Sequence, residues 1–239
     1  MGERLLRELQ RQAARRTAQR RNLLHTEGGQ DFKWAVEADH TDSNPAKEVP
    51  YIKTGSQGFH SWTIEEVRQY EARHPVGTRA RLALALLLYT TQRRSDVVLL
   101  GYKMAHNGWL KFTQTKNAKR KPIALEIPIL AELQRIIDAT TPLGKDAYLV
   151  TNFGKPFSVA GFGNRFRKWC DEAGLPHCSA HGLRKAGSAR LAELGASDRE
   201  IMAITGHQTS KEVDRYTKGA RQKTLAASAM EKWEQGRNE

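Results

Sequence analysis

Residues 78–96 read TRARLALALLLYTTQRRSD, and this stretch decides the fold. Its centre, Leu82 to Tyr89, is apolar on every side of a helix and built from strong helix formers. It is far shorter than the ~20 residues of a membrane span, so it reads as a helix buried inside a protein core. Working outward, Thr63 and Glu66 form a capping box that starts a helix running to about Arg73, in a unit that opens at Trp62. Downstream, a short helix ends at Gly101. Residues 109–113 (WLKFT) and 122–127 (PIALEI) are patterned as strands, and the basic QTKNAKRK between them makes the pair a hairpin. Helices are expected over 129–139, 158–173, 181–195, 198–205, 209–217 and 221–235, the fourth opened by a second capping box, Ser197 with Glu200. The fold class is therefore mainly α (α+β): a helical domain with a small antiparallel β-sheet near residues 102–127.

Toward the N-terminus the pattern changes. Residues 30–39 (QDFKWAVEAD) read as an amphipathic helix with Phe32, Ala35 and Val36 on one face and Trp34 nearby. Residues 40–62, with Pro45, Pro50, Gly55 and Gly58, read as a connector. Residues 2–22 hold seven arginines and two glutamates, a basic helix that is either solvated or laid on a phosphate backbone. The whole chain carries 39 Lys and Arg against 26 Asp and Glu, a formal charge of +13, which favours a polyanionic partner. Two cysteines, Cys170 and Cys178, and an N-terminus without an apolar signal core fit a soluble, cytoplasmic protein that makes no use of a membrane.

Four segments concentrate reactive side chains: TTQRRSD (90–96), Lys116 in QTKNAKRKPI, HGLR (181–184), and TGHQTSKEVDRYT (205–217), where His207 and Tyr216 stand nine residues apart. Each has a bland reading: a solvated helix start, a surface lysine, a capping histidine, a packing tyrosine. One reaction needs the set. Attack on a phosphodiester loads negative charge on the non-bridging oxygens, which arginine forks hold well because they stay charged and donate two bonds. A histidine adds a donor, and a lysine protonates the departing sugar oxygen. Cationic neighbours favour the phenolate of a tyrosine and so activate it. Side-chain cations supply the charge stabilisation, so the reaction calls for no metal and no other cofactor.

In that order (Arg, Lys, His-x-x-Arg, His, Tyr) the residues resemble the active site of the tyrosine recombinases, the phage integrase family. The family pattern T-G-x-R-x-S-[ED] aligns with Thr90 to Asp96 and selects Arg93 over Arg94, since Ser95 must follow two residues after the active arginine. Lys116 takes the place of the hairpin lysine, with Lys119 and Lys121 as weaker candidates; His181 and Arg184 fill the His-x-x-Arg box; Thr205-Gly206-His207 and Tyr216 complete it. Thr91 stands where glycine is usual, stiffening that turn, and Asn117 where threonine is usual. The resemblance covers about residues 58–235. It implies a catalytic domain over 58–239, preceded at 1–50 by a truncated helical remnant of a DNA-clamping domain and the start of the connector. It implies a site-specific recombinase that cleaves and rejoins double-stranded DNA through a 3′-phosphotyrosyl intermediate on Tyr216, serving DNA integration for a mobile element. The working form would be a homo-tetramer on paired sites. The last helix, with Leu225, Ala229, Met230 and Trp233 on one face, would dock in trans on a neighbouring subunit. Two alternatives are a DNA-binding relative without full recombination, and a type IB topoisomerase-like enzyme that relaxes DNA. A zinc set of Cys170, His177, Cys178 and His181 lacks a paired C-x2-C arm, and His181 is better used in HGLR.

Overall fold

A computed structural model describes residues 29–47, 58–116, 118–144 and 146–237; for residues 215, 216, 218, 220, 221, 223 and 224 it describes the backbone alone. The arginine-rich segment 2–22, most of the second half of the connector, and Asn117 lie outside the described residues. The chain divides into two compact units, Met1–Gly58 and Phe59–Glu239.

In the first unit, α1 spans residues 29–37. Asn44 donates to the carbonyl of Gly29 at 3.0 Å, and a 3-10 turn follows at Pro45–Lys47. Ala35 and Val36 are half-buried, while Phe32 and Trp34 stand exposed.

The second unit is built around the quoted stretch. The helix α2 (Ile64–Arg73) starts at the expected capping box, with Thr63 and Glu66 exchanging both bonds. After it, α3 (Arg79–Thr90) is the central helix: Leu82, Ala83, Leu84, Ala85, Leu86 and Leu87 are all buried. Each such leucine contributes roughly 1.5–3 kcal/mol on leaving water. Around α3 pack α4 (Arg94–Val97), α5 (Ala131–Ala139), α6 (Val159–Glu172) and α7 (Ala180–Glu193). A second, smaller cluster of Ala192, Ile201 and Val213 joins α7 to α8 (Asp198–Thr205) and to α9 (Ser210–Gly236).

The sheet is antiparallel, in the order β1 (Ala105–His106), β2 (Trp109–Thr113), β3 (Ala124–Pro128). Leu110 pairs with Ile127 and Phe112 with Leu125, and these four turn inward while Trp109, Lys111 and Thr113 face out. The expected hairpin is present. β1 is an addition, formed because Asn107 and Gly108 both adopt positive φ (49° and 78°) and fold the chain back tightly.

One expectation needs correcting. The helices expected at 209–217 and 221–235 are one continuous helix, α9. Gly219 lies inside it and does not end it, because a lone glycine costs a helix only about 1 kcal/mol. Thr91, where the family usually has glycine, takes the left-handed region at φ 52°, ψ 24°, as the C-cap of α3. A β-branched residue there carries about 1–3 kcal/mol of strain. Its carbonyl is fixed by a 2.6 Å bond from the Arg184 guanidinium.

Candidate active site

The end of α3 hands the chain to α4 through Thr91, Gln92 and Arg93, so Arg93 is set at the start of α4 with its side chain half-buried. Its Nη1 donates to Gln114 Oε1 at 2.8 Å. Gln114 is fully buried at the end of β2 and works as a hub. Its Nε2 donates to Gln92 Oε1 at 2.7 Å and to the Thr205 carbonyl at 2.8 Å. That same carbonyl accepts from Arg184 Nη2 at 2.9 Å. Arg184, on the second turn of α7 and 2% exposed, also donates to His207 Nε2 at 2.9 Å. Arg93, Arg184 and His207 therefore belong to one hydrogen-bonded network.

The proton positions on His207 follow from its partners. Thr205 Oγ1 donates to the Ile201 carbonyl at 2.7 Å, so toward His207 Nδ1, 2.9 Å away, it accepts. Nδ1 carries the hydrogen and Nε2 is left as the acceptor for Arg184. Burial first, then the charge of Arg184, push His207 down to about 4, so the ring is neutral near pH 7. Gly206, at φ 73°, closes α8 and lets the chain pass: a Cβ there would lie 2.6 Å from Gln114 Nε2.

His181 sits on the first turn of α7, exposed, with its ring 4.7 Å from Phe59. Its pKa is lowered by the partial desolvation of the ring where it meets its neighbours, then by Arg184, Lys185 and Arg93. His181, Arg93, Arg94, Arg167 and Arg184 line a cleft of about 560 Å³. Arg94 is exposed and lies across Gly163 of α6, outside the Gln114 network.

Lys116 is exposed in the β2–β3 turn, and its charge is felt at His207 and at Glu212. Asp96 anchors this turn. Its Oδ1 accepts from Thr115 N and from Thr115 Oγ1, both at 2.8 Å. Lys119 and Lys121 are exposed in the same turn. Tyr216 lies on α9 between the fully buried Val213 and Thr217, which seat that stretch of helix against α7 and α8. The placement of its side chain lies outside what is described.

Three contributors were not picked out from the sequence. Gln114 and Gln92 stood only as motif context, although a glutamine beside a candidate lysine and another beside a candidate arginine was a usable signal. The third, the Thr205 carbonyl, leaves no mark in a sequence. The zinc set read from spacing is not the group that the fold gathers. His177 and Cys178 meet His60 and Glu66, while His181 lies against Phe59 and Cys170 packs in the core. Among the described residues, no helix is long and apolar enough to cross a membrane.

Residues 62–223 match the model of the phage integrase family. The chain is 29% identical over 198 residues to tyrosine recombinase XerC 2 of Ralstonia nicotianae, a match covering 78% of this chain and 57% of that protein. The chain thus spans little more than half the length of that relative. A lambda integrase dimer bound to a COC′ core site is similar with a TM-score of 0.66 at 20% identity, over 81% of this chain and 71% of the other. A lambda integrase tetramer bound to a Holliday junction gives 0.65 at 20%, over 82% and 58%. At such identity the two structures speak for the fold alone: mainly helical, with a small antiparallel sheet. The family match covers well over half of the chain, and it brackets every residue of the Arg93–Gln114–Arg184–His207 network; this chain belongs to the phage integrase family, the tyrosine recombinases.

Proposed function

We propose that this chain is a site-specific recombinase that cleaves and rejoins double-stranded DNA through a 3′-phosphotyrosyl link on Tyr216. The observation that carries the reading is the single network that ties Arg93 to Arg184 and His207 through Gln114 and the Thr205 carbonyl. Two guanidinium groups held by buried partners cost little to reorganise when charge develops on a phosphate, which is the main source of electrostatic catalysis. Arg93 and Arg184 hold the non-bridging oxygens, His181 adds a donor from the start of α7, and His207 fixes the Arg184 fork. The Tyr216 phenol loses its proton and its oxygen forms a bond to phosphorus. The bond from phosphorus to the 5′ oxygen breaks, and Lys116 gives that oxygen a proton. Rejoining is the reverse, and the aryl phosphate conserves the bond, so no nucleotide is consumed.

Residues 58–239 perform this chemistry, and residues 1–50 contribute to holding the DNA. Paired sites are held by four copies of the chain. Leu225, Met230 and Trp233 support this assembly: they are 58–70% exposed along the far half of α9, an apolar face that fits a second copy. The dimeric and tetrameric DNA complexes of lambda integrase support it as well.

The test is a nicked suicide substrate that prevents religation. Wild-type protein should appear as a covalent complex on a denaturing gel. Tyr216→Phe should give none while still shifting the same DNA on a native gel. Equal trapping by the Phe variant overturns the assignment.

A further inference from the structure

Outside the Gln114 hydrogen-bonded network, at the edge of the same cleft, four side chains of different chemistry converge on one point: His60, Glu66, His177 and Cys178. Each offers one donor atom, and these atoms lie within 4.8 Å of one another. The Glu66 carboxylate is the focus. Its Oε1 accepts from His177 Nε2 at 2.6 Å, and its Oε2 accepts from His60 Nε2 at 2.7 Å and from Thr63 N at 2.8 Å. The two imidazole rings meet edge to face at 5.0 Å. Cys178 is fully buried beneath, and the Glu66 side chain is 15% exposed.

A capping box accounts for one bond to Glu66. It does not account for two histidines aimed at the same carboxylate beside a buried thiol. We propose that these four residues form a binding site for a zinc-class divalent ion, with His60 Nε2, His177 Nε2, a Glu66 oxygen and Cys178 Sγ as its four ligands. Two nitrogens, one oxygen and one sulfur make a borderline-soft set that suits a tetrahedral ion. Metal–ligand bonds of about 2.0–2.3 Å place tetrahedral donors roughly 3.3–3.8 Å apart, so the widest pairs close by up to about 1.5 Å and the two His–Glu66 pairs open by about 1 Å around the ion. On binding, the thiol gives up its proton and each histidine presents its Nε2 lone pair in place of the bond to Glu66.

The site would act as a staple. His60 and Glu66 come from the entry to the second unit, and His177 and Cys178 from the loop before α7, 111 or more residues away. That loop already receives Trp62 Nε1 on the Ser179 carbonyl at 2.9 Å and Arg167 on the Cys178 carbonyl at 3.0 Å. A Cβ at Gly182 would lie 2.2 Å from the His60 carbonyl, so the His60 segment rests directly on the turn that carries His181. The ion is thus a structural partner that fixes the start of α7; its ligands His177 and Cys178 line one wall of the cleft that Arg93, His181 and Arg184 also line.

The experiment uses the full chain, purified without a polyhistidine tag, stripped with chelator and titrated with cobalt(II) and zinc(II) alone. One equivalent should bind. The cobalt form should show the visible bands of a tetrahedral ion and a near-ultraviolet thiolate charge-transfer band. Zinc at about 100 times its Kd should raise Tm by roughly 5–10 °C. Cys178→Ser should abolish the charge-transfer band. Because Cys178 is buried and its replacement risks the fold, the half-exposed His177→Ala is the second arm. It should melt like the wild type in chelator yet bind at least about tenfold more weakly, as even outer-shell losses do. Failure of the wild type to bind either ion at micromolar concentration, or binding undiminished in both variants, overturns the proposal. The trapping assay with Tyr216→Phe reads separately from all of these results.

Discussion

Gln114 shows what a single residue contributes here. Both hydrogens of its amide are used, on Gln92 and on the Thr205 carbonyl, and its oxygen receives Arg93. Gln114→Ala would strand buried partners at about 1–3 kcal/mol each, so we expect a clear drop in Tm together with slower cleavage. Unchanged cleavage in this variant would disprove the role given to the network. Arg93→Ala should slow trapping of the covalent complex by roughly 10²–10³-fold, the usual cost of a lost transition-state donor. Arg94→Ala, lying across Gly163, should slow it far less; the reverse ranking would show the Ser95 register to be wrong. His207 sets a pH dependence. Arg184, Arg93, Lys116 and Glu212 are the charged groups around it, and its pKa is about 4 against an unfolded value near 6.5. The unfolded chain therefore binds the extra proton first. The contribution is intact above about pH 6.5 and is lost as pH falls toward 4. His207→Gln should flatten that part of the Tm–pH curve relative to wild type, and coincident curves would contradict the buried placement. At this scale the charged members of the site were legible, because a reaction dictates their types. Their orienting partners were not, since amides and carbonyls occur everywhere and declare a role only through position.

Among the elements, the β2–β3 hairpin and α9 carry the consequences. Asp96 ties the hairpin to the start of α4, directly before Lys116. Lys116→Ala removes the proposed proton donor for the leaving oxygen and should cost about 10²–10⁴-fold in cleavage. A substrate with sulfur at the bridging 5′ position needs no such proton and should restore the rate. Asp96→Ala, by freeing the turn, should show a smaller loss restored in the same way; no rescue in either variant would remove Lys116 from the role. Deleting residues 222–239 should leave single-protomer DNA binding intact and weaken multimers on a two-arm site, with Trp233→Ala doing part of the same. If instead the deletion mainly lowers Tm and complexes build up normally, α9 is a packing element of its own protomer. The hairpin was readable because Leu110, Lys111, Phe112 and Thr113 alternate apolar with polar and the residues between the strands are polar. The unity of α9 was not, because propensity cannot tell a tolerated glycine from a helix end. The Asn107-Gly108 turn was readable in principle, but the strand it serves is two residues long.

For the whole molecule, the charge of +13 would make the proposed binding to DNA salt-dependent. A contact with 6–10 phosphates would lose about 10³–10⁵ in affinity between 50 and 200 mM salt. A flat response would argue against a phosphate-tracking surface. The core was legible at this scale from one apolar helix. The meeting of His60 and Glu66 with His177 and Cys178 was not, because the fold alone brings such distant positions together. The unbroken α9 has a mechanical meaning as well. From Tyr216 to Trp233 it measures about 26 Å at 1.5 Å per residue, so it behaves as a stiff lever with the proposed nucleophile near its fulcrum. On the proposed function, a grip on the free end would turn the near end with it, and strand cleavage would be timed by whether a neighbour has taken hold. Two extra glycines inserted after Gly219 would put slack in that lever, and the timing would be lost while the chemistry remained.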